Sequence, residues 1–281
     1  MKRLENERFV GERALFMARD LEILHCSFGD GESPLKESKN ISVKSSNFEW
    51  KYPLWYSKDF HLADCFFDEM ARAGIWYSSN FSLKNSLYLA PKGLRKSSHF
   101  ELENVQFTNA DQTLWFCKNV KMKNISANGT YFCMGSENLD ISNLNLSGDY
   151  CFDGCKNIKI SHSKLLSKDA FWNCENVVAK ECFISGEYFG WNSKNVYLEN
   201  CVISSLQGFC YMENLVMKNC RLINTTLAFE FSDTQAEIIG KIDSIKNPNS
   251  GKIVADEIGD IILDNTVDAT KFVIIDKSKN L

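Results

Sequence analysis

Between residues 138 and 231 apolar and polar positions recur with a period of 19. Five phrases open on Asn138, Asn157, Asn176, Asn195 and Asn214. One residue on, each is apolar (Leu139, Ile158, Val177, Val196, Leu215), and three on it is apolar again (Ile141, Ile160, Ala179, Leu198, Met217). The residue between is mostly polar, an alternation that predicts a half-buried β-strand. Upstream the same first position falls on Asp20, Asn40, Asp59, Asn80, His99 and Asn119, at spacings of 19–21. Five residues on lies a second polar column, Asn85, Asn104, Asn124, Asn143, Asn200 and Asn219, with His25, His162 and Glu181 as variants. Six and eight on, the chain turns apolar or small, as at Cys182 and Ile184, and then enters a variable third segment rich in aromatics.

A fixed period of about 20 residues predicts a solenoid. Each repeat makes one coil, and each strand pairs with its equivalent about 4.8 Å away in the next. Asparagine tolerates the left-handed conformation of a corner, and its amide can bond the amides of adjacent coils as a ladder. The expected fold is all-β: a single-stranded right-handed parallel β-helix of about eleven coils of 19–21 residues. A hexapeptide helix would show a period of six, and a leucine-rich repeat needs its Asn one position later. Residues 1–19 are expected to cap the first coil, residues 20–231 to form the coils, and residues 232–281 to form irregular final coils and a second cap, all in one continuous domain.

Composition narrows the function classes. The net charge of −4 with mixed signs lacks the basic footprint of nucleic-acid binding. The N-terminal segment is polar, unlike a signal peptide, and no apolar run approaches the roughly 20 residues that span a bilayer, so a cytoplasmic protein without membrane contact is expected. Eleven cysteines, an odd number with no C-x-x-C pair, read as free thiols, the column Cys182, Cys201 and Cys220 being packing. Four scattered histidines give no metal cluster, and neither a metal nor a cofactor is expected. His25 and His162 read as corner hydrogen-bonders, His99 belongs to the first ladder, and His61 points outward.

Chemistry is best sought in the third segment, which the period places on one side of successive coils. There Lys36, Lys51, Trp55, Arg72, Trp76 and Trp115 are candidate ligand-binding residues, and Glu32, Glu37, Lys92, Arg95 and Asp111 candidate catalytic ones. Aromatic rings beside cations and carboxylates suit sugar rings and acidic sugars. The competing reading makes the tryptophans core and the charges a solvated rim. Glu230 and Asp153 are further carboxylates of the late aromatic segments.

The stretches Gly11-Glu-Arg-Ala-Leu-Phe16, Asp30-Gly-Glu-Ser-Pro-Leu-Lys-Glu-Ser38, Trp50-Lys-Tyr-Pro-Leu-Trp-Tyr56, Ala73-Gly-Ile-Trp-Tyr77 and Gly240-Lys-Ile-Asp-Ser-Ile245 resemble a bacterial family of β-helix proteins of unknown function. Its fold is similar to the pectin-lyase-like superfamily, which is rich in polysaccharide lyases, hydrolases and esterases. The resemblance transfers no catalytic residue, and the Asp-Asp-Arg and calcium-binding Asp clusters of the enzymatic relatives are not evident here.

Two functions follow as expectations. One is a carbohydrate-binding or carbohydrate-processing protein taking a uronide, an oligosaccharide or another small acidic ligand. As a lyase, Lys92 or Arg95 would abstract the proton beside a carboxyl that Arg72 neutralises. As a hydrolase, it would draw its carboxylates from Glu32, Glu37 and Asp111. The other is a non-enzymatic scaffold or oligomerisation module that docks a partner, or a second copy, on its aromatic face.

Overall fold

The computed structural model describes residues 2–265 and 267–279. They are all-β apart from two short 3-10 turns, Ala269–Lys271 and Lys277–Lys279. Two compact units, Met1–Leu146 and Ser147–Leu281, are each a parallel β-solenoid, with about 14 turns in all. The expected eleven coils are too few. Residues 2–9 and 233–276 lack the Asn phrase, yet they too pair coil on coil.

In the first unit the strands Arg19–Leu24, Lys39–Lys44, Lys58–Ala63, Ser79–Tyr88, Ser98–Phe107 and Lys118–Asn128 pair in parallel, each with its equivalent one repeat on. Leu21, Ile41, Phe60, Phe81, Phe100 and Val120 therefore form one inward column. Asp20, Asn40, Asp59, Asn80, His99 and Asn119 hold φ of 52–57° and turn the first corner. Their side chains bond coil to coil, as in Asn80 Nδ2 to Asp59 Oδ1 at 3.1 Å and Asn138 Nδ2 to Asn119 Oδ1 at 2.9 Å. The second corner repeats this through Asn85, Asn104, Asn124 and Asn143, at 2.8–2.9 Å.

A third corner has no uniform side chain. Met17, Glu37, Tyr56, Tyr77, Lys96 and Phe116 are all left-handed, with φ of 48–59°. Bulky residues are uncommon there, and each costs on the order of 1–2 kcal/mol of backbone strain. That strain is outweighed by the core, where Phe9, Phe28, Phe48, Phe67 and Tyr88 stack with centroids 4.4–5.3 Å apart. Full burial of one such ring contributes about 1.5–3 kcal/mol.

A buried column in which serine recurs closes several coils: Ser97 Oγ accepts from Ser78 N (3.1 Å) and donates to Ile75 O (3.1 Å). The first coil departs from this apolar scheme. Lys2 continues the Leu21 column, and Glu7, one residue before the Arg8–Ser27 pair, continues that of Cys26. Charges at inward positions make that coil a poor template for further pairing.

The second unit repeats the design through Lys156–Ser161, Glu175–Lys180, Lys194–Glu199 and Glu213–Ile223. Asn176, Asn195 and Asn214 form an equivalent ladder within this unit, with bonds of 2.8–3.0 Å. At its second corner His162 Nδ1 meets Glu181 Oε2 at 2.8 Å. Just before the first ladder, Lys156, Glu175, Lys194 and Glu213 alternate in sign, with Lys156–Glu175 at 3.2 Å and Lys194–Glu213 at 2.8 Å. All eleven cysteines are free and buried. Burial pushes the thiols of Cys117, Cys151 and Cys210 up to about 12, so they stay protonated at neutral pH.

Candidate functional site

The aromatic and cationic residues singled out in the third segment lie on one side of the first unit. Trp55, Trp76 and Arg95 are in register on adjacent coils, and Trp115 bridges to Arg95. The Trp55 and Trp76 rings are parallel to within 5° at 5.3 Å. The Arg95 guanidinium fills the gap between Trp76 (5.0 Å) and Trp115 (4.1 Å). It also donates to Gln112 O (3.1 Å) and Gln112 Oε1 (2.8 Å), and burial lowers its pKa. Each indole N–H donates to a carbonyl one coil on: Trp55 to Ala73, Trp76 to Lys92 (2.8 Å) and Trp115 to Tyr131 (2.7 Å). Ring faces are thus occupied, Trp55 against Trp76 and Arg95 between Trp76 and Trp115.

The remaining candidates divide. Lys51 pairs with Glu32 at 3.3 Å, and Lys36 lies 5.7 Å over the Tyr56 ring. Asp111 accepts from Thr130 N (2.7 Å) and Oγ1 (3.2 Å), bracing the next coil. It sits four coil steps from the Glu32–Glu37 coil, roughly 19 Å at about 4.8 Å a step. That exceeds the separation of roughly 5–9.5 Å at which two carboxylates cooperate on a glycosidic bond. Arg72 and Lys92 are exposed on adjacent coils and form no ion pair among the described residues.

A hollow of the first unit lies elsewhere, on the outward face of its first strands. It is an open groove of about 900 Å³. The first ladder (Asn40, Asp59, Asn80, His99, Asn119, Asn138) forms one wall, and the column two residues on (His61, Ser82, Glu101, Lys121, Asp140) runs beside it with Lys84. None of the third-segment candidates lines it. His61 Nδ1 is 3.0 Å from Ser82 Oγ, and Lys121 reaches Glu101 at 3.3 Å. Lys84 bonds Glu103 at 3.0 Å, which raises the lysine pKa and lowers that of the carboxylate. Asp140 has no ion pair among the described residues. The alternation marks this column as outward, His61 included, but does not reveal that the face is concave. Among the described residues no three His, Cys, Asp or Glu side chains converge as a metal site, and no helix is long and apolar enough to cross a membrane.

Solved structures similar in fold include PfbA, a surface adhesin of Streptococcus pneumoniae, in two determinations. One is 9% identical with a TM-score of 0.42, covering 93% of this chain and 81% of that one; the other is 10% identical at 0.30, covering 92% and 76%. The catalytic domain of a GH87 α-1,3-glucanase in complex with nigerose is 10% identical at 0.36, over 97% of this chain and 63% of that one. Likeness this distant transfers no activity. No curated protein matches the sequence. The family is nevertheless plain, because its profile spans residues 2–276: the chain belongs to DUF3737, a family of proteins of unknown function.

Proposed function

We propose that the protein binds a charged oligosaccharide, a uronide being the favoured class, along the groove on the first-strand face of the first unit. The observation that carries this is the pairing of a side-chain amide ladder with a column of His, Ser, Glu, Lys and Asp along one open hollow. Amides and hydroxyls both donate and accept, as sugar hydroxyls require, and they recur at the coil spacing of about 4.8 Å, so a chain of rings meets a repeated set of partners. Lys84 and Lys121 supply cations for carboxylates. Asp140 and His61 are the groups placed to exchange a proton with a bound sugar.

Calorimetry with trigalacturonate tests this on wild type and on a Lys84→Ala, Lys121→Ala variant. Two exposed charge pairs at up to about 1 kcal/mol each predict an affinity loss of up to roughly 30-fold. An Arg72→Ala, Lys92→Ala variant should bind as wild type does. Loss in that variant alone would move the ligand to the third-segment strip, and no heat with wild type would overturn the groove reading.

A second reading, docking of a second copy on the third corner, is favoured by Tyr56 and Tyr77. Both are exposed and left-handed, and they stack at 4.9 Å. Sedimentation of a Tyr56→Asn, Tyr77→Asn variant tests it: a dimer lost on substitution supports the reading, and a wild-type monomer ends it.

A further inference from the structure

In the first unit, the residues whose carbonyls receive an indole N–H are all left-handed: Ala73 (φ 53°), Lys92 (57°) and Tyr131 (54°). The second unit breaks this rule. Tyr188 and Gln207 occupy the equivalent positions above Trp172 and Trp191 without that conformation. Asp169–Ala170 and Tyr188–Phe189 instead pair as a short parallel ladder, with Asp169 opposite Tyr188. Gly186 permits this, since a Cβ there would lie 2.0 Å from Ser167 O.

Two kinds of polar group are stranded as a result. Among the described residues, the indole N–H of Trp172 is buried and reaches no acceptor, and that of Trp191 has only the weakly accepting Cys210 sulfur beside it. Asp169 is 2% exposed, and its carboxylate takes no hydrogen bond or ion pair among the described residues. The neighbouring Lys168 ammonium lies instead 3.6 Å from Glu187. Buried polar groups without partners are rare and call for an account. Aromatic rings flank them: Tyr150 is edge-on to Trp172 at 6.1 Å, and Tyr188 to Trp191 at 5.3 Å.

We propose that this side of the second unit holds a neutral sugar ring, one hydroxyl donating to Asp169, another oxygen accepting from the Trp172 N–H, and the C–H faces packed on Tyr150 and Tyr188. A hydroxyl is the group that answers both a stranded acceptor and a stranded donor. A uronide is disfavoured, because Asp149, Asp169 and Glu187 place three carboxylates on these coils. An organic cation leaves the indole N–H unanswered. Both tyrosines are half-buried, and a side chain must move aside for a ligand to reach the carboxylate. The site is separate from the groove and does not depend on it.

Calorimetry of the full chain with neutral glucose trisaccharides of several linkages, and trigalacturonate as the charged comparison, tests the site. Wild type should bind at least one neutral trisaccharide. Asp169→Asn, which trades an acceptor oxygen for a donor, and Trp172→Phe, which keeps a ring and deletes the N–H, should each weaken binding about tenfold or more. Far-UV circular dichroism and melting curves establish that both variants are folded. The Lys84→Ala, Lys121→Ala variant should retain the neutral ligand. Absence of heat with every neutral trisaccharide, or wild-type affinity in both folded variants, would overturn the proposal, as would loss in the groove variant.

Discussion

Replacing Asn195 tests the ladder most directly. Its Nδ2 donates to Asn176 Oδ1 at 3.0 Å, its Oδ1 accepts from Asn214 Nδ2 at 2.9 Å, and its φ is 53°. Alanine removes both bonds, worth about 0.5 kcal/mol each at an exposed site. It also lacks the short polar side chain that lets asparagine tolerate the left-handed conformation, which costs other L-residues about 1–2 kcal/mol. The expected destabilisation is therefore about 2–3 kcal/mol. Glycine loses the same bonds without that strain and adds roughly 0.5–1 kcal/mol of chain entropy, for about 1.5–2 kcal/mol. Aspartate keeps one bond and tolerates the conformation, so about 0.5–1 kcal/mol is expected. At about 2–4 °C per kcal/mol, alanine should lower the melting temperature by roughly 5–10 °C. The order is the diagnostic part. In an ordinary strand glycine is worse than alanine, whereas here alanine should be worse than glycine, with aspartate mildest. Calorimetric melting of the three variants that put glycine below alanine, or aspartate level with alanine, would refute the account of the corner.

Two further predictions concern buried and paired groups. Ser97→Ala leaves the Ser78 N–H buried without its acceptor, which should cost about 1–3 kcal/mol in urea unfolding, and an unchanged midpoint would mean that another acceptor steps in. Hydrogen bonds from Ser278, aided by Lys279, hold the Asp276 carboxyl at about 2, below the usual value of about 3.9. A depressed folded-state pKa stabilises above the unfolded value and loses that stability as the pH falls, so the contribution should fade between about pH 4 and pH 2. Asp276→Asn should remove this part of the acid dependence in thermal melts, and a variant as acid-sensitive as wild type would contradict it.

Much of the fold is legible in the sequence because two of its left-handed corners are written in one kind of side chain. Asn, Asp and His tolerate positive φ and also bond their neighbours one repeat away, so Asn138 and Asn143 announce both corners at once. The third corner escapes because Met17, Glu37, Tyr56, Tyr77, Lys96 and Phe116 share a backbone conformation and no chemistry. Their conformation is imposed by the stacked coils rather than by their own preference. The coil count fell short for a similar reason: main-chain pairing at residues 2–9 and 233–276 requires no asparagine. For the candidate site, the period puts Trp55, Trp76, Arg95 and Trp115 on one side, but not which way the rings face. The groove was hidden because alternation reports which side chains point outward, whereas concavity depends on the shape of the face as a whole. Nor does the spacing of Asp169 and Trp172 betray that a conformational break at Tyr188 leaves their polar atoms unanswered.

The alternating column Lys156, Glu175, Lys194, Glu213 gives a chain of near-identical coils an effective repeat of two. A backbone that can stack any coil on any other is blind to the loss of one 19-residue unit, but this column is not. Excision of residues 175–193 would set Lys156 beneath Lys194, like on like, whereas removing two coils would restore the order. Parity of this kind favours gain and loss of coils in pairs when such a chain lengthens or shortens by duplication and deletion. It also gives a nascent chain a way to tell a neighbour from a next-nearest neighbour while the hydrophobic columns still look alike.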